Sequence, residues 1–135
     1  LKMDVEEMWA CAVDTQSPVL PWMVSHASWV YNRFQPHGDH RTSYEALRGQ
    51  PYQGEVFRFT QPVAARDPEA LLNPKLEARW QSGLWLGRSA LADDHVVGLA
   101  GGILRTRSVK PLAEWTQDLY VQMRWTPWRP SWRRR

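Results

Sequence analysis

Apolar positions along this chain fall into two regimes. Up to about residue 36 they recur at spacings of three and four: first Leu1, Val5, Met8, Trp9 and Ala12, then Val19, Trp22 or Met23, His26, Val30 and Phe34, with Trp29 widening the second stripe. Each set is one face of an amphipathic helix. Asp14 to Pro18 separates the two. Ser17 fits the N-cap and Pro18 the first helical position, where its missing N–H would be unbonded anyway. Pro21 still lies in the first turn and is tolerated, and Pro36 and Gly38 close the helix. A third, short helix is announced by Thr42-Ser43-Tyr44-Glu45, a hydroxyl followed three residues later by Glu as in a capping box. Gly49 supplies its C-terminal stop, and Pro51 prevents resumption.

The second regime is short apolar runs bounded by Gly, Pro or charge. Val56, Phe57 and Phe59 form a strand candidate, continued past Pro62 by Val63 and Ala64, and residues 67–78 read as a loop. Between Arg79 and Lys110 lie Leu84-Trp85-Leu86, Val96-Val97-Gly98-Leu99 and Ile103-Leu104, three strands of a small twisted sheet. Ala100-Gly101-Gly102 is a hairpin signal, because Gly accepts the positive φ of a two-residue loop. Leu104 and Thr106 alternate with Arg105 and Arg107, so one face goes to a core and the other shows cations. After Pro111 a helix is expected from Leu112 to about Met123, with Leu112, Trp115, Leu119 and Met123 on one face. Residues 124–135 hold two prolines and no aliphatic side chain, which predicts an extended, disordered tail.

Composition sharpens this in three places. The chain has 135 residues, 43% hydrophobic, enough for one packed domain; no apolar run approaches the roughly 20 residues that span a bilayer. The N-terminal stretch carries Asp4, Glu6 and Glu7 and lacks the basic-then-apolar pattern of a secretion signal, so an intracellular setting is expected. The chain opens on Leu1, as a piece of something longer would. The net charge of +3 is asymmetric: residues 119–135 hold five Arg and no acid, leaving twelve basic against fourteen acidic side chains before them. A cationic end on a near-neutral body serves a polyanion contact or plain solubility.

Candidate chemistry is sparse. One cysteine, Cys11, excludes an internal disulfide and a cysteine-cluster zinc site. Glu6 and Glu7 point about 100° apart on a helix and do not share a metal, while Asp93-Asp94 reads as a solvated turn. His37 and His40 flank Gly38-Asp39 without further ligands nearby. His26 is expected to be packed and hydrogen-bonded, and His95 to sit at a strand edge; none of the four has an evident Ser or Cys nucleophile. Of the nine tryptophans, Trp9, Trp22, Trp29, Trp80 and Trp85 fall in apolar patterns and are expected in the core, with Trp115 less clearly so. Trp125, Trp128 and Trp132 instead alternate with Arg124, Arg129, Arg133, Arg134 and Arg135. Arg neutralises phosphate and Trp stacks on unpaired bases, so this suits single-stranded nucleic acid. A GC-rich coding sequence accumulates the same two residues without selection. Arg105, Arg107 and Lys110 are expected on one strand face with Arg88 beside them, Arg105 and Arg107 roughly 7 Å apart as phosphates are. A charged outer face also protects an edge strand without any ligand.

The order of elements carries a resemblance. Pro21-Trp22-Met23-Val24-Ser25-His26-Ala27-Ser28-Trp29-Val30-Tyr31-Asn32-Arg33 resembles the late core helix, ending in Asn-Arg, of copia-type retrotransposon Pol polyproteins in their integrase region. Arg41-Thr42-Ser43-Tyr44-Glu45-Ala46-Leu47-Arg48-Gly49-Gln50-Pro51 is similar to that family's capped turn, with Ser43 in place of the usual Pro or Ala. Phe57-Arg58-Phe59-Thr60 stands where the family has a strand ending in Phe-Gly, though the Gly is absent. The stretch Lys75 to Gly87 resembles its Lys-Leu-led strand, and Asp94 to Val109 its following hairpin. The likeness covers Leu1 to Leu112 and is most specific over 41–110.

The resemblance implies an α+β chain: two to three N-terminal helices, a small SH3-like β-barrel, and a disordered basic C-terminal tail. Residues 1–36 would be the terminal helices of an incomplete RNase H-like integrase core, 37–53 a linker with the short capped helix, 54–111 the barrel, and 112–135 a short helix and the Trp/Arg-rich tail. The Asp-Asp-Glu site and its divalent metals would lie upstream, so no catalysis, catalytic residue, metal ligand or cofactor is expected in this chain. Expected partners are DNA or single-stranded nucleic acid, bound weakly and without sequence preference, and a second copy through exposed helix faces, with no membrane. Nuclear localisation would follow if the chain acts on DNA. The runner-up expectation is a small-barrel protein-interaction module, marked by an exposed Trp80 or Trp85 along a groove, or a retroelement remnant without function.

Overall fold

The computed structural model describes residue 6 and residues 16–66, 80–100, 102–115 and 119–120. Apart from residue 6, which is helical, the expected helix over 1–12 lies outside them, as do the loop over 67–78, the tail over 124–135 and Cys11. The described chain is α+β: α1 (Val19–Phe34), α2 (Ser43–Arg48), and then five strands, β1 (Pro62–Arg66), β2 (Trp80–Arg88), β3 (His95–Leu99), β4 (Gly102–Thr106) and β5 (Val109–Pro111).

At the start of α1 the Ser17 hydroxyl accepts from the Val19 N–H at 3.3 Å, with Pro18 at helical φ −60°. Its buried residues are Val19, Trp22, Met23, His26 and Trp29. Val30 and Phe34, expected to continue that stripe, do not: Val30 is half-buried and Phe34 exposed. Spacings of three and four drift around a helix, and the line through Trp29 is the one that meets the sheet. The cap of α2 is as expected. Thr42 Oγ1 accepts from the Glu45 N–H at 3.0 Å, and Gly49 closes the helix in the left-handed conformation at φ 84°.

The strands make one antiparallel sheet in the order β4-β3-β2-β1-β5. The edge strands β4 and β5 are joined by only Arg107 and Ser108. In a flat sheet the two edges would stand about 19 Å apart, four strand spacings, whereas the three residue steps from Thr106 to Val109 reach only about 10 Å. The sheet is therefore strongly coiled. Its corner is pinned: Arg66 N–H donates to the Ser108 carbonyl (3.0 Å), Thr106 Oγ1 donates to the Arg66 carbonyl (2.7 Å), and Ser108 N–H donates to Thr106 Oγ1 (3.1 Å).

Coiling gives the sheet two covered faces. Inside lie Val63, Ala65, Trp85, Val97 and Leu99, with Phe57, Leu104 and Val109 against them. Outside, Leu84, Leu86 and Val96 meet Val19, Trp22 and Met23 of α1, together with Phe59 and Tyr120. This explains the unbroken run Leu84-Trp85-Leu86, since a strand buried on both sides need not alternate. A register shift between Trp85 and Gly87 marks a bulge in β2, with Gly87 at φ 121°.

Two sequence expectations are corrected. The first strand starts at Pro62, not Val56. Phe57 and Phe59 do send their rings to opposite faces, but Thr60 turns the chain at φ 64° before pairing begins. The helix after Pro111 does not start at Leu112. Leu112 N–H donates to the Pro62 carbonyl at 3.2 Å, residues 113–114 bend, and helix appears only at 119–120 among the described residues. There Tyr120, which the sequence reading had not placed on the buried face, enters the core.

Candidate functional site

Directly paired residues on neighbouring strands share a face, so the register fixes what the outer surface carries. Arg66 pairs with Trp80, and Ala64 pairs with both Ser82 and Lys110. Arg66, Trp80 and Lys110 therefore stand together on the outer face of the β1-β2-β5 end. Trp80 is 41% exposed, and Lys110 Nζ lies 4.3 Å from its ring centroid. Arg66 Nε is buried without a hydrogen-bond partner. Arg105 pairs with Val96, which packs under α1, so Arg105 projects from the same outer face at the other edge, exposed.

The remaining expected cations have other partners. Arg88 is not beside Arg105 on an open face. Its side chain is 11% exposed; Nε donates to Asp93 Oδ1 (3.1 Å), Nη1 to the Glu55 carbonyl (2.9 Å) and Nη2 to the Asp93 carbonyl. Arg107 is exposed but bridges Asp94 at 3.1 Å from the corner. The four residues thus do not form one continuous basic face: Arg105 and Lys110 remain, with Arg66 added. Arg124, Trp125, Trp128, Arg129, Trp132 and Arg133 to Arg135 lie outside the described residues. Trp80 and Trp115, expected in the core, are exposed, while Trp22, Trp29 and Trp85 are buried.

Behind Arg88 runs a buried polar chain. The Trp85 indole N–H donates to His95 Nδ1 at 3.0 Å. An indole nitrogen only donates, so His95 Nδ1 is the acceptor; its Nε2 lies 3.2 Å from Arg88 Nη1 and 3.5 Å from Glu55 Oε1. Burial, and then the Arg88 charge, lower the His95 pKa. His95 starts β3, yet β3 is an interior strand, so the expected edge position is corrected. Asp93 accepts from the Tyr52 hydroxyl at 2.7 Å as well as from Arg88. Burial raises its pKa, but those two bonds together with the Arg88 and Arg33 charges leave it below the ordinary value.

His26 is packed as expected but not fully hydrogen-bonded. It lies parallel to Trp29 (5.8 Å) and Phe59 (5.4 Å) and edge-on to Trp85 (5.2 Å), and its Nδ1 is buried without a partner. Burial lowers its pKa to about 4.

One pairing escaped the sequence reading. His37 Nε2 lies 2.7 Å from Ser43 Oγ, in an open cleft of about 650 Å³ that Asn32, Asp39 and Arg41 also line. A bridge between Pro36 and Thr42 folds the intervening loop back and brings the two together. Both Asp39 oxygens are taken by Arg41, through its backbone N–H (3.1 Å) and its Nε (3.2 Å), so Asp39 does not orient the imidazole. Both bonded side chains sit at the surface, where the pair closes the loop onto α2.

Comparison with family models, with curated proteins and with solved structures finds no match. Among the described residues no three His, Cys, Asp or Glu gather as a metal site, and no helix is long and apolar enough to cross a membrane.

Proposed function

We propose that this chain is a non-catalytic nucleic-acid-binding module of the copia integrase type, with the coiled sheet as its SH3-like barrel. The strand order β4-β3-β2-β1-β5, with a short corner between β4 and β5, supports the barrel reading. The binding reading rests on one observation: the register puts exposed Trp80 and Lys110 and half-buried Arg66 on one outward face. An exposed indole beside cations stacks an unpaired base while the cations meet its phosphates. Integration chemistry would belong to an Asp-Asp-Glu core elsewhere in the element, and a chain acting on DNA would work in the nucleus.

Anisotropy of a labelled single-stranded oligonucleotide tests this. Stacking is worth about 1–3 kcal/mol per base, so Trp80→Ala should weaken binding by roughly tenfold or more. Arg66, Arg105 and Lys110 as three contacts give a slope near −2 in log affinity against log salt, about −0.7 per contact on a single strand. Removing Lys110 should flatten that slope by about 0.7. Binding that ignores both Trp80→Ala and salt rejects the reading.

A second reading, self-association, is favoured by the outward side of α1. Val24 is 69% and Tyr31 58% exposed, and with Ala27 and Phe34 they follow at alternating spacings of three and four. That is the spacing of a helix seam.

A further inference from the structure

The Arg33 guanidinium sits among aromatic rings, 4.7 Å from the Trp29 centroid and 5.2 Å from those of Tyr44 and Tyr52. Tyr52 in turn meets Trp29, Phe34 and Tyr44 edge-on, which fixes the walls. Arg48, in the last turn of α2, lies over the same Tyr44 ring at 5.5 Å. Two cations therefore share one ring. Neither makes a hydrogen bond or ion pair among the described residues. Arg33 Nε is buried and unpartnered, whereas its terminal nitrogens are not among the buried unpartnered atoms, so they reach solvent.

Such a pair is unfavourable by itself. Burial lowers the Arg33 pKa and Arg48 lowers it further, against Tyr52, Asp93 and Tyr44, which raise it. Asp93, the carboxylate whose charge acts on Arg33, is already held by Tyr52 and Arg88. The aromatic walls hold the planar fork in place, which guanidinium tolerates because it is weakly hydrated and stacks well. Among the described residues neither guanidinium has an acceptor.

We infer that Arg33 and Arg48, both over the Tyr44 ring, form a binding site for a phosphate-type oxyanion. A planar fork matches phosphate oxygens two at a time, and the second cation takes a further oxygen or the next phosphate of a chain. The site is separate from the Trp80 face and does not rest on it.

The test is a titration of the full chain in phosphate-free buffer, following the arginine side-chain N–H signals by NMR. Inorganic phosphate should shift the Arg33 and Arg48 signals saturably, where chloride at equal ionic strength does not. Arg48→Met removes an exposed side chain and should weaken phosphate binding roughly tenfold with the fold intact; Arg33→Lys, which loses the fork, should do the same. Trp80→Ala should leave these shifts unchanged, which separates this site from the sheet face. A single-stranded oligonucleotide that competes for the Arg33 signal identifies the phosphate as that of a nucleic acid. A response to inorganic phosphate alone identifies a free phosphate-bearing molecule, and the site stands. Equal shifts with chloride, or unchanged phosphate binding in Arg48→Met, overturn it.

Discussion

His26 is the residue whose environment most constrains the solution behaviour. Aromatic rings surround it on three sides, and its Nδ1 has no partner. Between pH 6.5 and about 4 the unfolded chain binds a proton there that the folded chain refuses. Stability therefore rises with pH across that window and is flat above it, as far as this group is concerned. The shift sets an upper bound of ~3 kcal/mol. His95 acts in the same direction, because protonating Nδ1 would break its bond from Trp85. Urea midpoints measured from pH 4.5 to 7.5 should climb and then level, and His26→Phe should reduce the climb. A midpoint constant over that range would contradict the assignment. Burial of His26 was legible in the sequence from its place on the α1 stripe. The missing partner was not, because it depends on Phe59 and Trp85 arriving from elsewhere in the chain.

At the scale of elements, local signals held and distant ones did not. The cap of α2 was readable because Thr42 and Glu45 are three residues apart and the bond between them is the whole motif. Thr42→Ala should cost about 1 kcal/mol, measurable by thermal melting. It should also loosen Tyr44 and Arg48, which α2 carries. The hairpins of β2, β3 and β4 were legible for the same reason, from Gly and charge between apolar runs. Arg88 was misjudged because its partners are the Asp93 turn and the Glu55 carbonyl; only tertiary structure brings the latter close. The group around Arg33 draws rings from residues 29, 34, 44 and 52, which no spacing rule connects.

At the scale of the molecule, α1 has two apolar sides and the sheet covers one. Val24, Tyr31 and Phe34 are exposed on the other; if that side pairs two copies, sedimentation equilibrium should detect a concentration-dependent association that Val24→Glu with Tyr31→Glu abolishes. A wild-type chain that stays monomeric at all loadings would defeat that expectation. The coiled sheet itself was only half legible. Strands β2, β3 and β4 followed from pattern, whereas β5 was not expected, and nothing in the sequence states that the two-residue link Arg107-Ser108 joins opposite edges. That link also sets an order of events when the chain folds. The hairpins β2-β3-β4 close over short distances and form early, whereas β1 gains its second neighbour only when residues 109–111 are in place. Until then Val63, Ala64 and Ala65, all buried at the end, lie on an open strand border that any other chain can extend. A nascent chain stalled short of Val109 is the form most exposed to mispairing, and the last three residues of the sheet are what remove that hazard.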